Sequence, residues 1–96
     1  SFYETCTKYE LTESGLHAPT QVGLPVTYRG IKMDAGLKPD MIVEDCVIVE
    51  FKSVETMHPV FDAQLITYLK LTGIRLGFLI NFNVVHLKDG IKRIVV

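Results

Sequence analysis

Asp40, Glu50 and Lys52 stand in a stretch, "KPDMIVEDCVIVEFK" (38–52), whose other residues read mostly as core strand. Val47, Ile48 and Val49 suit the interior of a sheet, yet Glu50 and Lys52 follow in the same strand and Asp40 opens the one before. Two acids facing each other across paired strands repel unless positive charge lies between them. One explanation is an exposed ion cluster in which Lys52 supplies part of that charge. The other is a hard divalent cation. Magnesium takes oxygen ligands, often only one or two protein carboxylates, and completes its shell with water and substrate phosphate. Such an ion stabilises charge on a phosphate and activates water for attack. A lysine beside it can orient that water or hold developing negative charge. Spacing alone leaves both explanations open.

The register of the two strands decides whether the acids meet. A two-residue turn at Glu44 and Asp45 would pair Val43 with Cys46 and scatter charge onto both faces. A three-residue loop, 44–46, would pair Val43 with Val47 instead. Met41, Val43, Val47, Val49 and Phe51 then form one apolar face, and Asp40 falls across from Glu50, with Ile48 and Lys52 on its side. A slip by one residue turns every side chain over, so burial should select the second arrangement. Three-residue hairpin loops ending in a left-handed residue permit it.

The elements around this hairpin follow from periodicity and punctuation. Phe2, Cys6 and Tyr9 recur at i, i+4 and i+7, one face of an amphipathic helix that Gly15 would end. Ser1 is the single capping residue ahead of it, and the helix is expected to begin further upstream than the sequence given. "QVGLPVTYRG" (21–30) alternates Val22, Leu24, Val26 and Tyr28, a half-buried strand in which Pro25 predicts an edge position or a bulge. Gly30 marks a turn, and "IKMDAG" is a return strand. In "HPVFDAQLITYLKLTG" (58–73), Pro59 suits the first position of a helix and Gly73 the position after its end. "RLGFLINF" (75–82) reads as a strand covered on both faces, "KDG" (88–90) as a turn and "IKRIVV" as a last strand. The order is helix, three or four strands, helix, two strands. That is an α/β layer fold with a mixed sheet and a right-handed strand–helix–strand crossover.

At 96 residues, 48% hydrophobic and 22% charged, the chain is expected to form one domain, 1–96. A formal net charge of −1 argues against a polybasic nucleic-acid binder, so contact with phosphate would need local basic groups or a metal ion. Lys88, Lys92 and Arg93 read either as such a patch or as a solvated edge strand. Cys6 and Cys46 sit among apolar residues and are expected to be buried free thiols. His17, His58 and His86 show no ligand spacing. No stretch reads as a signal peptide or a membrane span, and a cytoplasmic protein is expected.

"PD" at 39–40 and "EFK" at 50–52, with nine residues between the acids, resemble the signature of the PD-(D/E)xK nuclease superfamily. Alone that pattern arises by chance in roughly one such chain in fifty. Its flanks strengthen it: Gln64 and Tyr68, one helical turn apart in "QLITYL", match a Gln-x-x-x-Tyr carried by several branches. From Tyr3 to Val96 the chain looks like the GxxExxY family of that superfamily, through "YRGIKMDAG", "KPDMIVED", "VIVEFKSVE", "HPVFDAQLITYLKLTG" and "LGFLINFNV…LKDGIKRIVV".

The resemblance implies a restriction-endonuclease-like fold, a mixed central sheet flanked by helices. It implies Asp40, Glu50 and the backbone carbonyl of Phe51 as metal ligands, Lys52 as the catalytic lysine, and Gln64 and Tyr68 in support of the site or in contact with nucleic acid. The cofactor would be Mg²⁺, with Mn²⁺ as the alternative. One departure stands at the front. The family's first motif carries a glutamate three residues before the tyrosine matching Tyr3, a position absent here, and Glu4 is the substitute at hand. The function expected is hydrolysis of phosphodiester bonds in DNA, or in RNA, by in-line attack of a metal-activated water. The rivals are a catalytically impaired nucleic-acid-binding adaptor with the same fold and a dimerising structural module, a homodimer.

Overall fold

The Ser1 hydroxyl accepts the Glu4 N–H at 3.2 Å and so caps the first helix, α1 (Phe2–Glu13). The computed structural model that shows this describes residues 1–96, apart from the side chain of Ala35. Gly15, at φ +83°, turns the chain out of α1. The helix is where expected, but its inward face is not. Phe2 and Tyr9 are 75% and 62% exposed, and Cys6 points outward with them. Glu4, Thr7 and Leu11 are the half-buried positions, so a mostly polar stripe faces the sheet. Cys46 is exposed too, in a hairpin loop, so neither thiol is buried.

The second region is a hairpin of β1 (Leu24–Tyr28) and β2 (Ile31–Leu37). Arg29 and Gly30 join its strands at φ +51° and +78°, the two positive values that a tight two-residue loop requires. The register shifts between Leu24 and Pro25, where proline cannot donate to the ladder. The two strands form their own antiparallel pair beside the central sheet.

The central sheet has the order β3 (Met41–Val43), β4 (Val47–Lys52), β5 (Leu76–Asn81), β6 (Ile91–Val95). β3–β4 and β5–β6 are antiparallel and β4–β5 parallel, so the sheet is mixed. Helix α2 (Pro59–Thr72) makes the crossover, with the His58 ring capping Val60 N–H and Gly73 in the left-handed region after its end. Gly77 on β5 has no room for a side chain: a Cβ there would lie 2.9 Å from Leu65, so α2 packs directly on the backbone.

Both faces of this sheet are covered. Ile42, Ile48 and Leu79 meet Leu65, Tyr68 and Leu69 of α2 on one side. Met41 and Val49 meet Ala18 on the other, with Leu11, Val43, Val47, Phe51 and Ile80 packed around them. The strand β5 is therefore sandwiched, as its apolar run predicts. No helix is long and apolar enough to cross a membrane among the described residues.

Candidate active site

The hairpin register places the two acids. Val43 pairs with Val47, Ile42 with Ile48 and Met41 with Val49, so the loop is the three residues 44–46. Its left-handed residues are Glu44 and Asp45 rather than the last of the three, and Cys46 N–H closes it onto Val43 O at 2.9 Å. One residue beyond the ladder, Asp40 falls opposite Glu50. Asp40 N–H donates to Glu50 Oε1 and Phe51 N–H donates to Asp40 Oδ2, both at 2.8 Å. Each carboxylate thus takes the place of a backbone carbonyl in the interstrand ladder, which fixes both side chains.

Glu50 is only 3% exposed. Burial pushes its pKa up from 4.5 to about 7, with the Asp40 charge adding to the rise; the hydrogen bond from Asp40 N–H and the Lys52 charge pull the other way. Lys52 does not neutralise the pair by contact. Its ammonium group sits 4.4 Å from the centre of the Phe61 ring, and the ion pair found among the described residues is Lys92 with Asp62. An exposed ion cluster is therefore not what the chain builds here. It builds a buried carboxylate beside a half-buried one, with a lysine near but not between.

The other expected residues lie around this pair. Extended backbone sends a residue's N–H and C=O to the same strand edge, so the Phe51 carbonyl points to the edge where its N–H meets Asp40. Tyr68 is 4% exposed and part of the core under α2. Burial, and then the Glu50 charge, push its pKa up, which keeps the phenol neutral. Its hydroxyl accepts from Gln64 Nε2 at 3.0 Å. Gln64 itself is exposed: the buried stripe of α2 is Leu65, Tyr68 and Leu69, and Gln64 lies on its rim rather than within it. Of the two readings of Lys88, Lys92 and Arg93, a phosphate-contacting patch or a solvated edge strand, the structure favours the second. Lys92 and Arg93 are consecutive strand residues and point to opposite faces, and Lys92 is held by Asp62.

Two contributors, Asn81 and Gln21, carry no signal in the sequence pattern. Asn81, 5% exposed and paired in register with Lys52, donates to Val54 O at 2.9 Å and accepts from Val54 and Asn83 N–H at 3.1 Å, pinning the chain just after Lys52. Gln21 reaches the site from the segment before β1: its Nε2 lies 3.1 Å from Asp40 Oδ1 and 3.3 Å from Glu4 Oε2. Gln21 holds φ at +54°, which costs a residue with a Cβ about 1 kcal/mol or more. Glu4, on the inward stripe of α1, is thus connected to Asp40 through an amide. A buried polar residue and a strained glutamine become visible only once the elements are packed.

The donor set fits a hard cation. Two carboxylates and a backbone carbonyl are oxygen ligands of the kind magnesium accepts, and at Glu50 the nearby Lys52 charge does not offset the rise in pKa caused by burial and by Asp40. Among the described residues no group of three or more His, Cys, Asp and Glu side chains forms a ready ligand cluster, so further ligands would be water and substrate. The cavities of about 300 and 320 Å³, under β1–β2 and beside β6, contain none of Asp40, Glu50 and Lys52.

A mixed sheet flanked by helices, with an acid opposite a Glu-x-Lys strand, is consistent with a restriction-endonuclease-like fold. A family model of the PD-(D/E)XK nuclease superfamily matches residues 1–94, and the chain belongs to that superfamily. Membership implies nuclease-type activity on nucleic acid, and nucleases of the superfamily generally use divalent metals. No curated protein and no solved structure matches the chain.

Proposed function

We propose that the chain is a metal-dependent nuclease that hydrolyses phosphodiester bonds in DNA by attack of water. We assign it to the GxxExxY branch and read residues 1–96 as one nuclease-like unit. The observation that supports this most is the Asp40–Glu50 pair: two carboxylates cross-locked by backbone N–H groups, one of them 3% exposed with its pKa near 7. A stable core gains nothing from that arrangement, because burying a carboxylate costs free energy without a matching charge. A cation-binding site needs it.

In this reading Asp40, Glu50 and the Phe51 carbonyl hold Mg²⁺ or Mn²⁺. When bound, the ion supplies positive charge to the scissile phosphate and acidifies water. Lys52 keeps its stem and ammonium against Phe61 with no carboxylate in contact, so its donors are free for a phosphate oxygen or the attacking water. Tyr68 stays a neutral hydroxyl near Glu50, and Gln64 holds it by the 3.0 Å hydrogen bond. Both would orient the carboxylate pair or contact the nucleic-acid backbone.

The test is cleavage of single- and double-stranded DNA with Mg²⁺ or Mn²⁺ by the wild type and by Lys52→Ala. Loss of a charge-stabilising donor is expected to slow cleavage by about 100-fold or more, with only a modest fall in the unfolding midpoint because a cation–π contact between the half-buried Lys52 and Phe61 contributes about 1–2 kcal/mol. Equal cutting by both proteins would remove the nuclease reading. Salt-sensitive DNA binding without turnover would favour the adaptor, the reading kept because no group of three or more metal-ligating side chains gathers among the described residues.

A further inference from the structure

Gln21 lies where three parts of the chain converge. Its backbone N–H donates to Asp40 O at 3.1 Å, Thr20 bridges to Met41, and Ile42 N–H donates to Pro19 O at 3.0 Å. Residues 19–21 therefore run along the free edge of β3 and hold Gln21 in its left-handed conformation from both sides. Strained residues persist where the surroundings over-determine them, and they concentrate at functional sites. This one aims its amide between Glu4 Oε2, at 3.3 Å, and Asp40 Oδ1, at 3.1 Å. Carboxylates only accept, so the NH₂ end must face them, and its two hydrogens serve one acid each.

The consequence falls on Asp40. Its Oδ2 is taken by Phe51 N–H and its Oδ1 by Gln21, so the carboxylate plane is held from both ends, each oxygen keeping a further lone pair for another partner. Among the described residues Glu4 makes no hydrogen bond to Asp40 or Glu50 of its own; it anchors the amide that orients Asp40.

We propose, resting on the metal-dependent reading above, that Gln21 is a positioning residue: it orients the Asp40 carboxylate for a divalent cation and makes Glu4 act on that cation only through itself. The backbone separates this role from a merely structural one. Gln21→Gly removes the side chain while relieving the positive φ, and Gln21→Met keeps length and shape without donors.

The experiment is titration of the metal-free full chain with Mn²⁺ by calorimetry, without nucleic acid, alongside thermal unfolding. Gln21→Gly and Gln21→Met are both expected to bind Mn²⁺ about tenfold more weakly than wild type, the scale on which partners of metal ligands act. Gln21→Gly should do so while unfolding at or above the wild-type temperature. Glu4→Ala should weaken binding in the wild type and have no further effect in Gln21→Gly, because both would remove one and the same contact. Wild-type affinity in both Gln21 variants, or a Glu4 effect that persists without Gln21, overturns the proposal and leaves the metal site standing. Mn²⁺ binding unaffected by Asp40→Ala overturns the metal site and this proposal together.

Discussion

The chain builds two antiparallel hairpins from similar materials and treats their charges in opposite ways. In β1–β2, Arg29, Lys32 and Asp34 are exposed, and so are Tyr28, Ile31 and Met33 at 60%, 63% and 42%. Only the base of that hairpin, through Leu24 and Leu37, joins the core. In β3–β4, Met41 and Ile48 are fully buried, and Glu50 is buried with them. Asp34 and Asp40 both accept a backbone N–H at 2.8 Å, from Gly36 and Phe51. Asp34 does so alone in solvent, forming a local turn. Asp40 does so opposite a second carboxylate that water barely reaches. A carboxylate's residue type and its nearest hydrogen bond therefore say little about its role; burial and a like-charged neighbour say much more.

The largest expected effect tests that contrast directly. Asp40→Asn should lower metal-dependent DNA cleavage by about 100-fold or more, the scale of losing one charged group from such a site. Asp34→Asn should leave cleavage within about twofold, since surface changes away from a site are usually near neutral. Parallel rate measurements in Mg²⁺ and Mn²⁺ decide it, and comparable losses from both variants would break the comparison.

A second pair moves the contrast to packing. Ile48→Ala removes a fully buried side chain beneath α2 and is expected to cost about 3–4 kcal/mol. Ile31→Ala, at 63% exposure, should stay within about 0.5 kcal/mol. Urea unfolding of both reads the difference, and a large loss at Ile31 would mean that the exposed hairpin face is covered in solution.

Glu50→Gln addresses the cost of the buried acid. The native pKa of about 7 lies above the unfolded value near 4.5, so between these pH values the native state binds more protons than the unfolded one. Stability therefore falls as pH rises from about 4.5 to about 7 and levels off above, by an amount on the order of 3 kcal/mol at most. Glu50→Gln should remove that slope, making the metal-free variant more stable than wild type at pH 8 and no more stable at pH 4. Mn²⁺ should raise the wild-type unfolding temperature at pH 8 and leave Glu50→Gln nearly unmoved. An unchanged slope in the variant would show that another group carries it.

How far the sequence exposes this site depends on which force places each residue. The β3–β4 register is legible because a slip would turn Met41, Val43, Val47, Val49 and Phe51 over together, so burial chooses between two alternatives that differ at every position. The limits of α2 are legible because Pro59 and Gly73 act locally. Helix α1 misleads for the converse reason. Its apolar periodicity at Phe2, Cys6 and Tyr9 is real, but the half-buried positions are Glu4, Thr7 and Leu11, and the aromatic ring that meets the rest of the chain is Tyr3, stacked on Phe82 at 4.2 Å. Gln21 and Asn81 are invisible in advance because their roles depend on which backbone and carboxylate groups lie within hydrogen-bond reach, and only the assembled fold sets that.

The smallest expected effect compares the two turns. Arg29 and Glu44 hold the same φ, +51°, each at the first left-handed position of a hairpin loop. Asparagine enters that region more readily than either residue, so Glu44→Asn should raise stability by about 0.5 kcal/mol. Arg29→Asn creates the Asn-Gly pair that tight hairpins favour, yet it also removes a guanidinium lying 5.5 Å over the Tyr28 ring. An exposed contact of that kind contributes about 0.5–1 kcal/mol, so gain and loss should nearly cancel. The readout is the denaturant midpoint at constant m-value. A rise in Glu44→Asn with no change in Arg29→Asn means that the outer hairpin depends on its tip contact, because a strand pair so little buried has few other interactions to hold it. An equal rise in both means that solvent screens the Arg29–Tyr28 contact away, and that β1–β2 is held by the packing of Leu24 and Leu37 at its base.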